Sequence, residues 1–286
     1  MFTTTYFLGC GLALILAPVV SAQGCVAKPA TLPQGNTIRL RCSRPAATAR
    51  MNGRTVPLFK QPAGDWLGLM PVAVSDRAGL NRIEVFADGK APVASVPVVV
   101  RLARFPTQNV TLAPSIEALH SSAAEIQTLT SFSDSISSVR YWQDPFVAPV
   151  TGCVISPFGV MRLHNGKPTG EYHGGVDLRS AAGRPIRAVA GGSVKIAQPF
   201  TVLGGTVGLD HGQGLETMYL HMSRVAVRSG ERVNRGDVIG YVGSTGRANG
   251  PHLHWVVYVN GVKVNPAQWV PLKTCMSAGR RPKPRK

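Results

Sequence analysis

Acidic side chains are scarce in this chain: 14 Asp and Glu stand against 31 Lys and Arg in 286 residues, a formal net charge of +17. An acidic partner or surface is therefore favoured through long-range attraction. Cysteine is sparser still, with five residues and no Cys-x-x-Cys, which argues against a cysteine zinc site. No Gly-x-Ser-x-Gly is present, so a serine-hydrolase elbow is excluded, and no P-loop is found. Beyond the first twenty-odd residues no apolar run is long enough to span a bilayer. Neither an internal repeat nor a long low-complexity segment is evident.

What is present begins with Tyr6 to Val20, an apolar run followed by Ser21-Ala22-Gln23. It is short for a membrane span, and its small residues fit a signal peptide of residues 1–22, cleaved after Ala22. That segment carries no charged side chain, so the basic charge stays with the mature chain. Export demotes nucleic acid as a partner: the basic residues are scattered, and no DNA- or RNA-binding motif appears. The anionic partners left are an anionic membrane surface and a carboxylate-rich wall polymer. Cleavage removes Cys10 and leaves Cys25, Cys42, Cys153 and Cys275. An even number in an exported chain points to disulfides, with three pairings possible. The cysteines cluster in two regions, which favours Cys25–Cys42 and Cys153–Cys275.

Residues 23–104 read as short strands broken by turns, including Thr37 to Cys42, Trp66 to Val74, Asn81 to Phe86 and Val93 to Arg101. The spacing predicts a small antiparallel β-sandwich. In the connector, residues 105–146, the positions Ile116, Leu119, Ala123, Ile126 and Leu129 recur at helical spacing. They predict a helix from Ser115, as N-cap, to about Arg140. Trp142 and Phe146 read as packing residues at its end. Residues 147–275 read as nearly all β with glycine-rich turns, and a basic tail, residues 276–286, closes the chain. The expected fold class is mainly β: an antiparallel sheet domain preceded by a β-sandwich and a helical connector.

Two short motifs carry the chemistry. One is His173-Gly-Gly-Val-Asp177; the other is His252-Leu-His254, entered through Gly243 to Pro251. Side chains at i and i+2 of a strand point to one face. Leu253 to Val259 is rich in β-branched and aromatic residues and runs into Asn260-Gly261, the strongest short hairpin signal, before Val262 to Val264. His252 and His254 therefore project together. Gly174-Gly175 argues against a helix between His173 and Asp177 and predicts a loop entering a strand. Two imidazoles and a carboxylate are zinc-type ligands, and a catalytic zinc site uses three protein ligands with a fourth position open to water. In an exported chain such a set points to hydrolysis.

With Met218-Tyr-Leu-His221-Met-Ser223 between them, these motifs resemble the LytM/lysostaphin family of zinc endopeptidases that cut peptidoglycan cross-links. The resemblance covers about Pro149 to Pro266 and includes Ile155-Ser-Pro-Phe-Gly159, Leu209 to Gly214 and Gly236 to Gly240. It implies one Zn2+ per chain held by His173, Asp177 and His254, with His221 and His252 as catalytic histidines that do not ligate. It also implies an active zinc metalloendopeptidase, because no ligand is missing as in degenerate activators of the family. Its partner would be peptidoglycan in the periplasm or outside the cell, cut at a D-Ala–diaminopimelate bond in the manner of Gram-negative relatives. The sandwich is similar to the immunoglobulin-like domain preceding some such catalytic domains, where it packs, positions or occludes the cleft.

Either histidine suits proton transfer, since an unperturbed imidazole titrates near pH 6.5; the sequence leaves their division of labour open. If the strand alternates strictly, Thr217, Tyr219 and His221 share a face, making Tyr219 a candidate substrate-binding residue beside His164 in its polar loop. His211 reads as a turn or supporting residue and His120 as surface. Two rival readings stand beside the endopeptidase: a non-enzymatic wall-binding protein or amidase activator, and a general secreted protease. Oligomeric state is not encoded in any motif.

Overall fold

The computed structural model describes residues 24–275; the expected leader (1–22) and the basic tail (276–286) lie outside the described residues. Among the described residues no helix is long and apolar enough to cross a membrane. The architecture is mainly β and antiparallel.

The N-terminal unit is a two-sheet sandwich. One sheet orders the strands Cys25–Lys28, Thr37–Cys42, Trp66–Pro71 and Phe59–Lys60; the other orders Thr31–Pro33, Ala94–Arg101, Gly79–Phe86, Thr48–Met51 and Arg54–Pro57. Alternation drives the packing: Ile83 and Val85 of one strand and Val96, Val98 and Val100 of its neighbour are buried. The pairing is not wholly antiparallel, because Thr31–Pro33 runs parallel to Ala94–Arg101. Cys25 and Cys42 face each other in register and are joined as a disulfide.

Strand Trp66–Pro71 departs from alternation: five consecutive residues, Leu67 to Pro71, are buried. Met70 enters the sandwich core, while Leu67 and Leu69 belong to the core of the following domain. Covering a leucine contributes on the order of 1.5–3 kcal/mol, so this strand glues the two units. Polar bonds fix the junction: Gln268 bonds both backbone groups of Thr37 (2.7 and 2.6 Å), and the Asn260 amide donates to the Leu69 carbonyl (2.6 Å).

The connector differs from the single helix that its apolar spacing predicts. Thr107–Val110 is a strand, paired in parallel with Met161–His164. A short helix, Pro114–Glu117, follows, and the longer helix covers only Ala123–Ser133. The N-cap is Ser122, not Ser115: its hydroxyl accepts from the Glu125 N–H, and Glu125 reaches back to the Ser122 N–H. The apolar spacing misleads because little covers it; Ile126 is 54% exposed, and Phe132 is the helix's buried residue. From Ser135 onward the chain has no regular secondary structure; it bonds to the sheet through Tyr141 N–H to the His211 carbonyl and Gln213 N–H to the Ser137 carbonyl, and buries Trp142 and Phe146 in the main core.

The C-terminal domain is built on a ten-stranded sheet with the order Cys153–Ser156, Val176–Arg179, His252–Val259, Leu215–Val225, Gly204–Gly212, Gly192–Phe200 and Arg232–Val233, from which three short strands branch; its hairpin Met161–His164 and Lys167–Tyr172 forms a separate small sheet with Thr107–Val110. Asn260 and Gly261 both take positive φ (44° and 79°), as the hairpin into Val262–Val264 requires. The Cys153–Cys275 disulfide ties the two ends of the domain together.

Candidate metal centre

Register places the site. Asp177 is opposite His254, and Arg179 is opposite His252, in the antiparallel pair Val176–Arg179 and His252–Val259. On the other side of His254 stands Leu220. Even-numbered residues of His252–Val259 face the cleft near the strand's start, while Leu253, Trp255, Val257 and Val259 are in the core. His173 arrives from the loop before Val176. Gly175 lets that loop press onto the strand, since a Cβ there would lie 2.3 Å from the Trp255 carbonyl oxygen.

Three ligand-type atoms converge. His173 Nε2 lies 3.0 Å from Asp177 Oδ1 and 2.9 Å from His254 Nδ1, and His254 Nδ1 lies 2.6 Å from Asp177 Oδ1. His173 Nδ1 carries a hydrogen, because its nearest partner, the Pro157 carbonyl (2.8 Å), only accepts. Its Nε2 is the nitrogen that faces the centre. A carboxylate and two imidazoles, nearly sealed from solvent, form a donor set that fits a zinc ion. Burial pushes His254 down to about 3, keeping its ring neutral as a ligand must be.

Two more imidazoles flank the trio. The ring centroids of His221 and His252 are 4.9 Å apart, and His221 is 6.1 Å from His254. His221 Nδ1 donates to the Thr245 carbonyl and His252 Nδ1 to the Gly250 carbonyl, both at 2.8 Å. Each Nε2 is thus left as the basic nitrogen, and His252 Nε2 sits 3.9 Å from Asp177 Oδ1. Burial, aided by His252, pushes His221 down to about 4, so it is neutral at pH 7.

His221 adopts φ 62°, in the left-handed region. The sheet register shifts on both sides of it, between Gly205 and Val207 and between Met222 and Arg224. This irregularity corrects the expectation for Tyr219. Strict alternation would put Tyr219 beside His221, but Tyr219 is fully buried on the core side. Its hydroxyl accepts from the Val189 N–H (3.1 Å) and bonds Thr217 (3.0 Å). Tyr219 does not reach the cleft.

The other histidines divide. His164 lines the cleft, its pKa lowered by burial and then by Arg247 and Arg162. His120 also lines it, from the loop between the connector helices. His211 is a buried strand residue, not a turn; it bonds the Gly191 carbonyl and Thr217, both at 2.7 Å.

The cleft has a volume of about 780 Å³ and takes one wall from the connector, including Leu112, Glu117 and His120. No described residue of the sandwich lines it. The connector wall is pinned by Asn165, which bonds both backbone groups of Leu112 (2.9 and 3.1 Å), and by Arg247, which donates to the Leu119 carbonyl. Sequence reasoning missed this wall, and it missed Arg162, which donates to Asp177 Oδ2. Ser156 lies in a family-like stretch, but no local pattern reveals its role.

Comparison with known proteins agrees with this geometry. The sequence profile described as Peptidase family M23 matches residues 171–266. The DD-carboxypeptidase/endopeptidase Mpg of Neisseria meningitidis is 42% identical over 113 residues, covering 40% of this chain and 26% of that protein. The peptidoglycan DD-endopeptidase ShyC of Vibrio cholerae is 40% identical over 113 residues, with the same coverage of 40% and 26%. The alignment thus spans about a quarter of these relatives' length. A crystal structure from Pseudomonas aeruginosa, assigned to peptidase M23, superposes with a TM-score of 0.64 at 29% identity, covering 83% of this chain and 94% of that one. Its coverage extends well beyond residues 171–266. Profile, relatives and convergent ligand geometry agree that the C-terminal part of this chain is a Peptidase family M23 domain of the LytM/lysostaphin type.

Proposed function

We propose that the chain is an exported zinc metalloendopeptidase that hydrolyses peptide cross-links of peptidoglycan, with a D-Ala–diaminopimelate amide as the scissile bond. The observation that carries this reading is the convergence of His173 Nε2, Asp177 Oδ1 and His254 Nδ1 beside two imidazoles whose Nε2 atoms are free to exchange a proton. One zinc per chain fits the single trio found among the described residues. When bound, zinc lowers the pKa of its water and polarises the scissile carbonyl.

The protein's own groups do the rest. With each Nδ1 bonded to a backbone carbonyl, His221 and His252 turn Nε2 toward the cleft: one takes the nucleophile's proton, and one protonates the leaving amine or donates to the developing oxyanion. The Thr245 and Gly250 carbonyls hold the rings in this tautomer. Arg179 and Lys263 line the cleft without an ion-pair partner among the described residues, which suits a stem peptide bearing free carboxylates. The net charge of +17 favours the same anionic polymer, and an anionic membrane surface as well. Export rests on the apolar leader, with cleavage after Ala22, and places the mature chain in the periplasm or outside the cell.

The test is incubation of the full mature chain with isolated sacculi, with and without a chelator, with products read by mass spectrometry. Chelator-sensitive conversion of cross-linked dimers to monomeric stem peptides, at the D-Ala–diaminopimelate bond, is the expected result. Binding to sacculi without cleavage by zinc-loaded, folded protein would favour a wall-binding or amidase-activating role.

A further inference from the structure

Behind the trio lies a polar chain that begins outside the profile-matched region. Thr107–Val110 of the connector pairs in parallel with Met161–His164, and Gln108 is the register partner of Arg162. Neighbours in register project to one face of a sheet, and here that face looks toward Asp177. The Arg162 guanidinium donates through Nη2 to Asp177 Oδ2 and, at 3.3 Å, to Ser156 Oγ. The Ser156 hydroxyl in turn donates to Gln108 Oε1 at 2.6 Å. Ser156 Oγ also lies 3.2 Å from His173 Nδ1, sharing that hydrogen with the Pro157 carbonyl.

We infer that Arg162, Ser156 and Gln108 are positioning residues for the metal centre, so that the connector strand helps to order the ligands. This inference rests on the zinc-centre reading. Arg162 engages the outer oxygen of Asp177, leaving Oδ1 toward the two imidazole nitrogens. Ser156 joins that guanidinium to the back of the His173 ring, so one hydroxyl couples the orientation of two ligands. Gln108 gives the hydroxyl's hydrogen a fixed acceptor, which turns the Ser156 lone pairs toward Arg162 and His173. Ser156 is buried and Asp177 nearly so, and water is a poor substitute for a missing partner there. All three line the cleft, and none of them belongs to the ligand trio. Their effect passes through Asp177 and His173, as outer partners of metal ligands do.

The test measures zinc affinity of the full chain by competition with a chelating indicator. Near-ultraviolet circular dichroism and the unfolding midpoint of the zinc-free protein are recorded alongside. Arg162→Met is expected to weaken zinc binding by about 10–100-fold. Ser156→Ala and Gln108→Leu are expected to weaken it by several-fold each. The Gln108→Leu/Ser156→Ala pair should bind no more weakly than Ser156→Ala alone, because both changes cut the same link. If Arg162→Met does not fold, Ser156→Ala and Gln108→Leu decide the matter. A purely structural role would lower the unfolding midpoint while leaving affinity within about twofold of the parent, and that outcome overturns the inference. Multiplicative losses in the pair would also overturn it. A parent chain that takes up no zinc would overturn the metal-centre reading itself, whereas a zinc-binding parent with unaltered variants overturns only the positioning role.

Discussion

Glu216 offers a test of the buried electrostatics that does not depend on catalysis. It is fully buried in strand Leu215–Val225, directly opposite Asp210. Its Oε1 accepts from Ser135 at 3.0 Å, while Oε2 has no hydrogen-bond partner among the described residues. Burial pushes its pKa up to about 9; the Ser135 bond opposes the shift and the neighbouring Asp210 adds to it. In the unfolded chain the same carboxyl ionises near 4.5. Between those values the native state keeps the proton and the unfolded state loses it, so stability falls as pH rises, by about 1.4 kcal/mol per pH unit. At pH 7 the accumulated cost is about 3 kcal/mol. Glu216→Gln removes the ionisation and can keep the bond from Ser135. Any constant cost of burying the amide drops out when the stability difference between variant and parent is followed against pH. Urea unfolding of both proteins, disulfides intact and followed by tryptophan fluorescence, should show that difference shifting toward the variant by about 4 kcal/mol from pH 5 to pH 8. A pH-independent difference would mean that Glu216 is ionised in the native protein and would refute the reasoning.

On the acid side the sign reverses for His211, which burial holds to about 4 against an unfolded value of 6.5. Stability should fall from pH 6.5 toward pH 4 by up to about 3 kcal/mol, and His211→Gln should flatten that limb in the same unfolding assay. His254→Ala is expected to abolish both zinc uptake and sacculus cleavage, whereas His221→Ala abolishes cleavage and keeps zinc; release of metal by His221→Ala would break the ligand assignment. Replacing Cys153 and Cys275 by alanine opens a loop with a sequence separation of 122. Loss of that closure should cost about 2–5 kcal/mol, read from the unfolding midpoint. Truncation to a chain beginning at Val147 removes Phe132, Trp142 and Phe146 from buried positions. With about 3–5 kcal/mol at stake per aromatic, it should be aggregated or unfolded by gel filtration and circular dichroism, whereas a chain beginning at Phe105 keeps all three.

The candidate ligands were legible because their geometry is local. His252 and His254 need only a period of two, and Asn260-Gly261 announces the strand that supplies it. His173 and Asp177 need only a glycine loop feeding a strand. Tyr219 shows where the same rule breaks. A residue at φ 62° and two register shifts carry His221 off the strict alternation, and nothing in Thr217 to Ser223 marks the irregularity. The connector failed differently. Ser122-Ala-Ala-Glu125 is a complete capping box and starts the helix there, whereas apolar spacing without a covering surface does not extend a helix upstream of it. Leu67 to Pro71 carried a legible sign as well: an apolar run lacking a polar alternate is buried on both faces, which requires a second core beside the sandwich. Gln108, Ser156 and Arg162 lay beyond reach for another reason. Their relation to Asp177 comes from a parallel strand pair that closes a loop of about fifty residues, and register across such a loop is set by tertiary packing rather than by any neighbouring turn. The ligands themselves follow short-range rules, whereas the groups that hold them in place are recruited through long-range pairing.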